Sequence, residues 1–304
     1  MLWIVGIVVV VILLFVFLFF NTPVSKSLAL SRSAVLARNQ KNWTMAANFY
    51  RQAHDVAGKL HEPLKSKMQA PIEIEWASLL HRQGRIREAE DLFRQGFSKA
   101  TVASRREHMV VYLGYLCWGD LCTDEGRHRD AGVHYRQALE GDEKGGNIGG
   151  TIFDMQRLAD SLVRQERRDE AEEVIHRAIA LESRVVHENL VRQGKNPAEH
   201  SVISMSMPDL HFCRQQYEDA RRLYQEKVAF WEKQVTRPDN IDVGHLQMRL
   251  ALAEARTGHR AEAIEMYTRA ESTFQREWCE GHPKAVAASA AKAALVEDPV
   301  EIRG

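Results

Sequence analysis

Six alanines recur along the chain at positions 46, 89, 131, 171, 220 and 263, separated by 43, 42, 40, 49 and 43 residues. Each sits in the same small context. A turn residue and a short polar stretch come before it, a large apolar or aromatic side chain follows four places later, and a small residue often follows three places after that. The copies are Asn42–Ala46 with Tyr50 and Ala53, Gly84–Ala89 with Phe93 and Gly96, and Gly126–Ala131 with Tyr135 and Ala138. They continue as Arg167–Ala171 with Ile175 and Ala178, Gln216–Ala220 with Tyr224, and Gly258–Ala263 with Tyr267 and Ala270. So steady a period marks a stack of units, none of which can bury its apolar face alone.

Spacings of four and three place the alanine, the aromatic and the small residue on one face of a helix. The turn residue ends a preceding helix. The alanine lets two antiparallel helices approach closely, and the aromatic fills the groove between neighbouring pairs. Upstream of the turns lie first helices with matching spacing: Trp76-Ala77 with Leu80, Trp118-Gly119 with Cys122, Leu158-Ala159 with Leu162, and Leu250-Ala251.

These residues resemble the tetratricopeptide repeat, in the longer variety found in kinesin light chain. Glu280-Gly281-His282-Pro283 is similar to the Asp/His-Pro turn between repeats of that variety, and Arg237-Pro238-Asp239-Asn240 more loosely so. The resemblance covers residues 28–296. It implies an all-α fold, a right-handed solenoid of about six helix pairs, closed by a lone capping helix over His282–Glu297, with 297–304 as a tail. Four departures stand out. Pro208 occupies a first helix, so that helix is expected to start late or bend. Glu166 stands where glycine is common. The 49-residue step adds about two helical turns near Val185–His200. The last helix is rich in alanine although end repeats usually present a polar outer face, so it is expected to pack on something else.

Residues 1–20, MLWIVGIVVVVILLFVFLFF, carry no charge. Twenty helical residues span about 30 Å, the thickness of a bilayer core, so this segment is expected to be a transmembrane helix, with 21–27 as a short tether. A cleavable signal peptide is the rival, but it would need a basic start and a shorter apolar run. Lys26, Arg32, Arg38, Lys41 and Arg51 follow the run before the first acid, Asp55. The positive-inside rule then places the repeats in the cytoplasm of a single-pass membrane protein; the extracytoplasmic side is the alternative.

The 41 basic and 41 acidic residues cancel, which gives no electrostatic reason to expect nucleic acid. The stretch Glu143–Thr151 is glycine-rich, but no lysine follows its last glycine as a phosphate-binding loop requires, so it reads as a flexible linker. Cys279 and His282 have ligand-like spacing without a second pair. Cys117, Cys122, Cys213 and Cys279 form no CxxC motif and read as packed thiols. No catalytic residue, metal, cofactor or small-molecule substrate is expected.

The tetratricopeptide resemblance implies that partners lie against first-helix positions turned away from the second helix. The matching positions are Ile74, Ser78, Leu116, Asp120, Gln156, Asp160, Met205, Asp209, Phe212 and Met248. Asp120, Asp160 and Asp209 take equivalent places in three consecutive repeats. They suggest an acidic stripe for an extended basic or basic-apolar peptide, unless they only keep the groove soluble. The leading expectation is a membrane-anchored scaffold binding a protein or peptide. An envelope or transport assembly factor, and an enzyme with a pocket of perturbed ionisable groups, are the competing classes.

Overall fold

The computed structural model describes residues 22–100, 105–196, 204, 206–234, 241–279 and 281–297. Among these the chain is helical throughout. The helices are α1 (Pro23–Asn39), α2 (Trp43–Ala57), α3 (Leu64–Arg82), α4 (Ile86–Lys99), α5 (Arg105–Asp124), α6 (His128–Gly145) and α7 (Ile148–Arg164). They continue with α8 (Arg168–Arg192), α9 (Met207–Cys213), α10 (Tyr217–Gln234), α11 (Ile241–Arg256), α12 (Arg260–Glu277) and α13 (Pro283–Glu297). The span expected as one solenoid falls into two compact units: Met1–His81 with Arg85–Gly114, and Arg82–Gly84 with Tyr115–Gly304.

Among the described residues the helices form six pairs: α1/α2, α3/α4, α5/α6, α7/α8, α9/α10 and α11/α12. The residue that turns each first helix into its second is left-handed in every copy: Lys41, Gly84, Gly126, Glu166, Gln215 and Gly258. These repeat with the same spacing as the alanines. In each pair the amide two or more residues into the turn returns to the first helix, as in Arg85 to Leu80 O, Arg127 to Cys122 O, Arg167 to Leu162 O and His259 to Glu254 O. This is the Schellman closure, which satisfies carbonyls the helix end leaves open. Lys41, Glu166 and Gln215 adopt it without glycine, at a cost of about 1–2 kcal/mol each. The close crossing explains the repeat itself: Ala46, Ala89, Ala131, Ala171, Ala220 and Ala263 are all 0% exposed. A larger side chain at any of them would drive the paired helices apart.

Several departures resolve locally. Pro208 lies in the first turn of α9, which is only seven residues long. The 49-residue step is taken up partly by α8, which runs for 25 residues. The glycine-rich stretch is a tight corner rather than a linker. Gly146 closes α6 in the left-handed conformation, Asn147 accepts the Gly150 amide at 3.3 Å, and α7 starts at once. In α13, Ala285 and Ala288 are buried while Ala287 and Ala291 line a cavity described below.

The expected membrane-spanning helix ahead of the repeats, and the single-pass location drawn from it, are corrected. Among the described residues no helix is long and apolar enough to cross a membrane. A span needs about 20 consecutive apolar residues; even the apolar run of α5, Met109–Gly119, is interrupted well short of that by Asp120. Residues 1–20, on which the expectation fell, lie outside the described residues. Helix α1 already starts at Pro23, inside the segment expected as a tether, with Thr22 Oγ1 capping the Ser25 amide.

Candidate functional site

The second unit carries a repeated three-residue device on its first helices. Asp120 on α5 accepts a hydrogen bond from Tyr135 Oη of α6 at 2.8 Å, and Arg157 Nε of α7 lies 3.6 Å from the same carboxylate. Asp209 on α9 repeats it. Tyr224 Oη of α10 and Arg249 Nη1 of α11 both donate to Asp209 Oδ1. In both copies the tyrosine stands 15 residues after the aspartate. Both arginines stand in the same tripeptide, Arg157-Leu158-Ala159 and Arg249-Leu250-Ala251. The leucine and alanine go to the core, and the arginine before them is left on the inner face.

Tyr135 reaches Asp120 because Gly119 has no side chain. A Cβ at Gly119 would stand 2.5–3.0 Å from the tyrosine ring, which is held at its far end by Asp120 and by Thr123 Oγ1 at 3.0 Å. Gly119→Ala gains about 1 kcal/mol of helix propensity but forces the ring out of place. It is expected to be net destabilising by about 1–3 kcal/mol, read as a lower urea midpoint with an unchanged slope.

Between the two copies, Asp160 of α7 pairs with Arg164 at 3.2 Å. Burial works to raise its carboxyl, but Arg164 and Arg249 hold it down to about 2. The three aspartates are therefore a ladder matched by arginines, not an acidic stripe. At the two ends of the unit, Lys284 Nζ of α13 donates to Asp124 Oδ1 of α5 at 2.7 Å, with side-chain exposures of 11% and 4%.

Two cavities open on this face. The first, of about 340 Å³, is lined by Asp160, Asp209, Phe212, Met248 and Phe274, with Ala287 and Ala291 of the last helix across it. The second, of about 310 Å³, is lined by Ile152, Phe153, Trp231, Leu246, Glu182 and Lys227 among others. Gln156, Arg157, His245 and Arg249 belong to both and form the wall they share. Arg157 Nη2 lies 3.1 Å from His245 Nε2. Burial, together with Arg157, Lys284 and Arg249, pushes the imidazole well below its ordinary value. The ring is thus neutral, and its Nε2 accepts the arginine proton. Gln156 Nε2 donates to Ser206 Oγ at 2.9 Å, and Ser206 Oγ donates to Glu182 Oε1 at 2.8 Å, which ties α7 to α8 and α9.

Of the expected groove residues, Gln156, Asp160, Asp209, Phe212 and Met248 line the first cavity. Asp120 stands behind the shared wall as the partner of Arg157. Leu116 packs against the core. In the first unit, Ile74 is 1% exposed and fills the space left by Gly96 and Gly114, so it is a core residue. Ser78 donates to the Ile74 carbonyl of its own helix. Met205 lies outside the described residues. Sequence reasoning missed Arg157, Arg249, His245 and the tyrosines that hold the aspartates. The shared Arg-Leu-Ala tripeptide and the 15-residue Asp-to-Tyr spacing were the available signals.

No protein-family model and no curated protein matches the chain. Solved structures share its fold. NprR, in complex with its cognate peptide NprX, is similar at a TM-score of 0.61 and 12% identity, over 90% of this chain and 74% of that one. Aspartyl phosphate phosphatase F from Bacillus subtilis is similar at a TM-score of 0.53 and 12% identity, over 91% of this chain and 72% of that one. RapI in its apo form is similar at a TM-score of 0.55 and 9% identity, over 88% and 98% of the two chains. At such identities the likeness is one of fold. The stacked helix pairs expected from the sequence are what the described helices form.

Proposed function

We propose that the second unit is a peptide-binding surface and the chain an interaction scaffold. The observation that carries this reading is the first cavity. It gathers side chains from α7, α9 and α11 on the inner face of successive repeats, where an extended segment can touch each in turn. Its anions come already paired: Asp160 with Arg164, Asp209 with Arg249, and Asp124 with Lys284. A preference for basic peptides therefore loses its support. What remains for a ligand is the apolar part of the lining, Phe212, Met248 and Leu252, between neutralised polar rungs. The similarity to NprR bound to a peptide supports a peptide as the class of partner.

The test is capture of apolar peptides from a random library by the immobilised full chain. Met248→Glu, which puts a charge among the apolar contacts, is expected to lower capture at least about tenfold, the effect of roughly 1.4 kcal/mol. Met248 is partly exposed but also packs against the core, so capture is compared at a temperature where melting curves show both chains folded. Equal capture by the variant and the parent chain would remove the first cavity from consideration.

A further inference from the structure

The second cavity is chemically different from the first. One side is apolar, formed by Ile152, Phe153, Trp231 and Leu246; the other carries Arg157, Arg249 and Lys227. The ladder acids Asp120, Asp160 and Asp209 are not part of its lining. Two other acids are. Both oxygens of Glu182 already accept hydrogen bonds, from Ser206 Oγ on one and from Ser204 Oγ and the Ser206 amide on the other. Burial raises the carboxyl of Asp242, although Arg157 opposes it. One wall thus sets the heads of Arg157 and Arg249, each shared with a carboxylate outside the cavity, opposite an apolar side.

The heads of the two arginines are fixed. Arg157 lies over the Phe153 ring at 4.9 Å, and its Nε makes no hydrogen bond among the described residues. A guanidinium has five N–H groups. One of Arg157 goes to His245 and one of Arg249 to Asp209, which leaves donors for a ligand. Fixed guanidinium pairs of this kind recognise carboxylates by charge-assisted hydrogen bonds.

We propose that the second cavity binds an apolar carboxylate, with the bulky apolar group against Phe153 and Trp231 and the carboxylate on Arg157 and Arg249. Its volume of about 310 Å³ suits a single large side chain or a small acid. Two sources share this chemistry: the C-terminal residue of a peptide that crosses the shared wall from the first cavity, and a free aromatic or aliphatic acid. The inference rests on the reading of the inner face as a ligand surface, but not on the first cavity being occupied.

The experiment is titration calorimetry of the full chain with N-acetylphenylalanine and its carboxamide, and with a pentapeptide of four alanines ending in phenylalanine, as free acid and as amide. Each acid is expected to bind at least about tenfold tighter than its amide. Trp231→Ala, at the edge of the cavity, and the charge-keeping Arg157→Lys are each expected to weaken the acid about tenfold, with melting curves checked beside them. A pentapeptide acid that binds more tightly than N-acetylphenylalanine identifies a peptide end as the source; equal binding identifies a free acid. Acids and amides that bind alike, acids that do not bind, or folded variants that bind as the parent chain does would each overturn the proposal. A chain that captures apolar peptides through Met248 yet ignores these acids defeats this inference alone. Acid binding without peptide capture defeats the first-cavity reading alone.

Discussion

Asp209→Ala is expected to lower stability by about 3–5 kcal/mol, the loss seen when one partner of a buried ion pair is removed. Asp209 is 8% exposed, and its Oδ1 takes both the Tyr224 hydroxyl and the Arg249 guanidinium. With the carboxylate gone, a buried tyrosine loses its acceptor and a partly exposed arginine its nearest anion. Asp160, the other acid acting on Arg249, is already shared with Arg164. Urea unfolding measures the effect. The double variant Asp209→Ala/Arg249→Met should recover much of the loss, because no uncompensated charge is left behind. If the double variant is as unstable as the sum of its parts, the two residues are not coupled as the geometry requires.

A second large effect concerns Asp154 of α7. It is 2% exposed, and its Oδ2 has no hydrogen-bond partner among the described residues. Burial, and then the neighbouring carboxylates of Asp142 and Asp120, raise its carboxyl to about 8, against a smaller opposing pull from Arg157. A folded value above the unfolded one, 3.8, means that the native state holds the proton more tightly. The resulting stability is fully present below pH 3.8. It falls as pH rises toward 8, at up to about 1.4 kcal/mol per pH unit. Asp154→Asn removes the titration. The variant should match the parent chain near pH 4 and exceed it by about 2–5 kcal/mol at pH 8, allowing for relaxation around a buried charge. Thermal melts at the two pH values decide it. A variant with the same pH dependence as the parent chain would show that Asp154 titrates as an ordinary carboxylate. Asp160 acts in the opposite sense. Its depressed value gives stability that is present above 3.8 and is lost as pH falls toward 2.

The helix pairs were legible because they depend on backbone approach. An alanine such as Ala131 or Ala263 has one physical role at a close crossing, and its period survives substitution elsewhere. Turn positions were less legible where chemistry and conformation part company. Lys41, Glu166 and Gln215 take the left-handed turn that glycine takes in other copies, because the Schellman closure and the packed alanine that follows it over-determine the backbone. The groove was legible only as a face. Assigning one inward residue per turn selected Gln156 and Met248 and passed over Arg157 and Arg249, whose length brings their heads round to the same surface. It also took the three aspartates as free charge, when Asp120 and Asp209 find partners in the next helix pair, 37 and 40 residues away, and Asp160 finds Arg164 one turn on in its own helix. Ile74 failed for a third reason: Gly96 and Gly114 open a hole in the first unit that no local pattern around Ile74 announces.

The contact between Lys284 and Asp124 sets a rule for how such a chain can change. An array open at both ends tolerates duplication or deletion of a repeat, since each copy answers only to its neighbours. Here the first and last helices of the second unit hold one another across 160 residues. One copy more or fewer would carry the lysine out of reach and part a hidden ion pair. Gene-level growth of this segment is thereby penalised, and its repeat number is constrained by the contact between its ends.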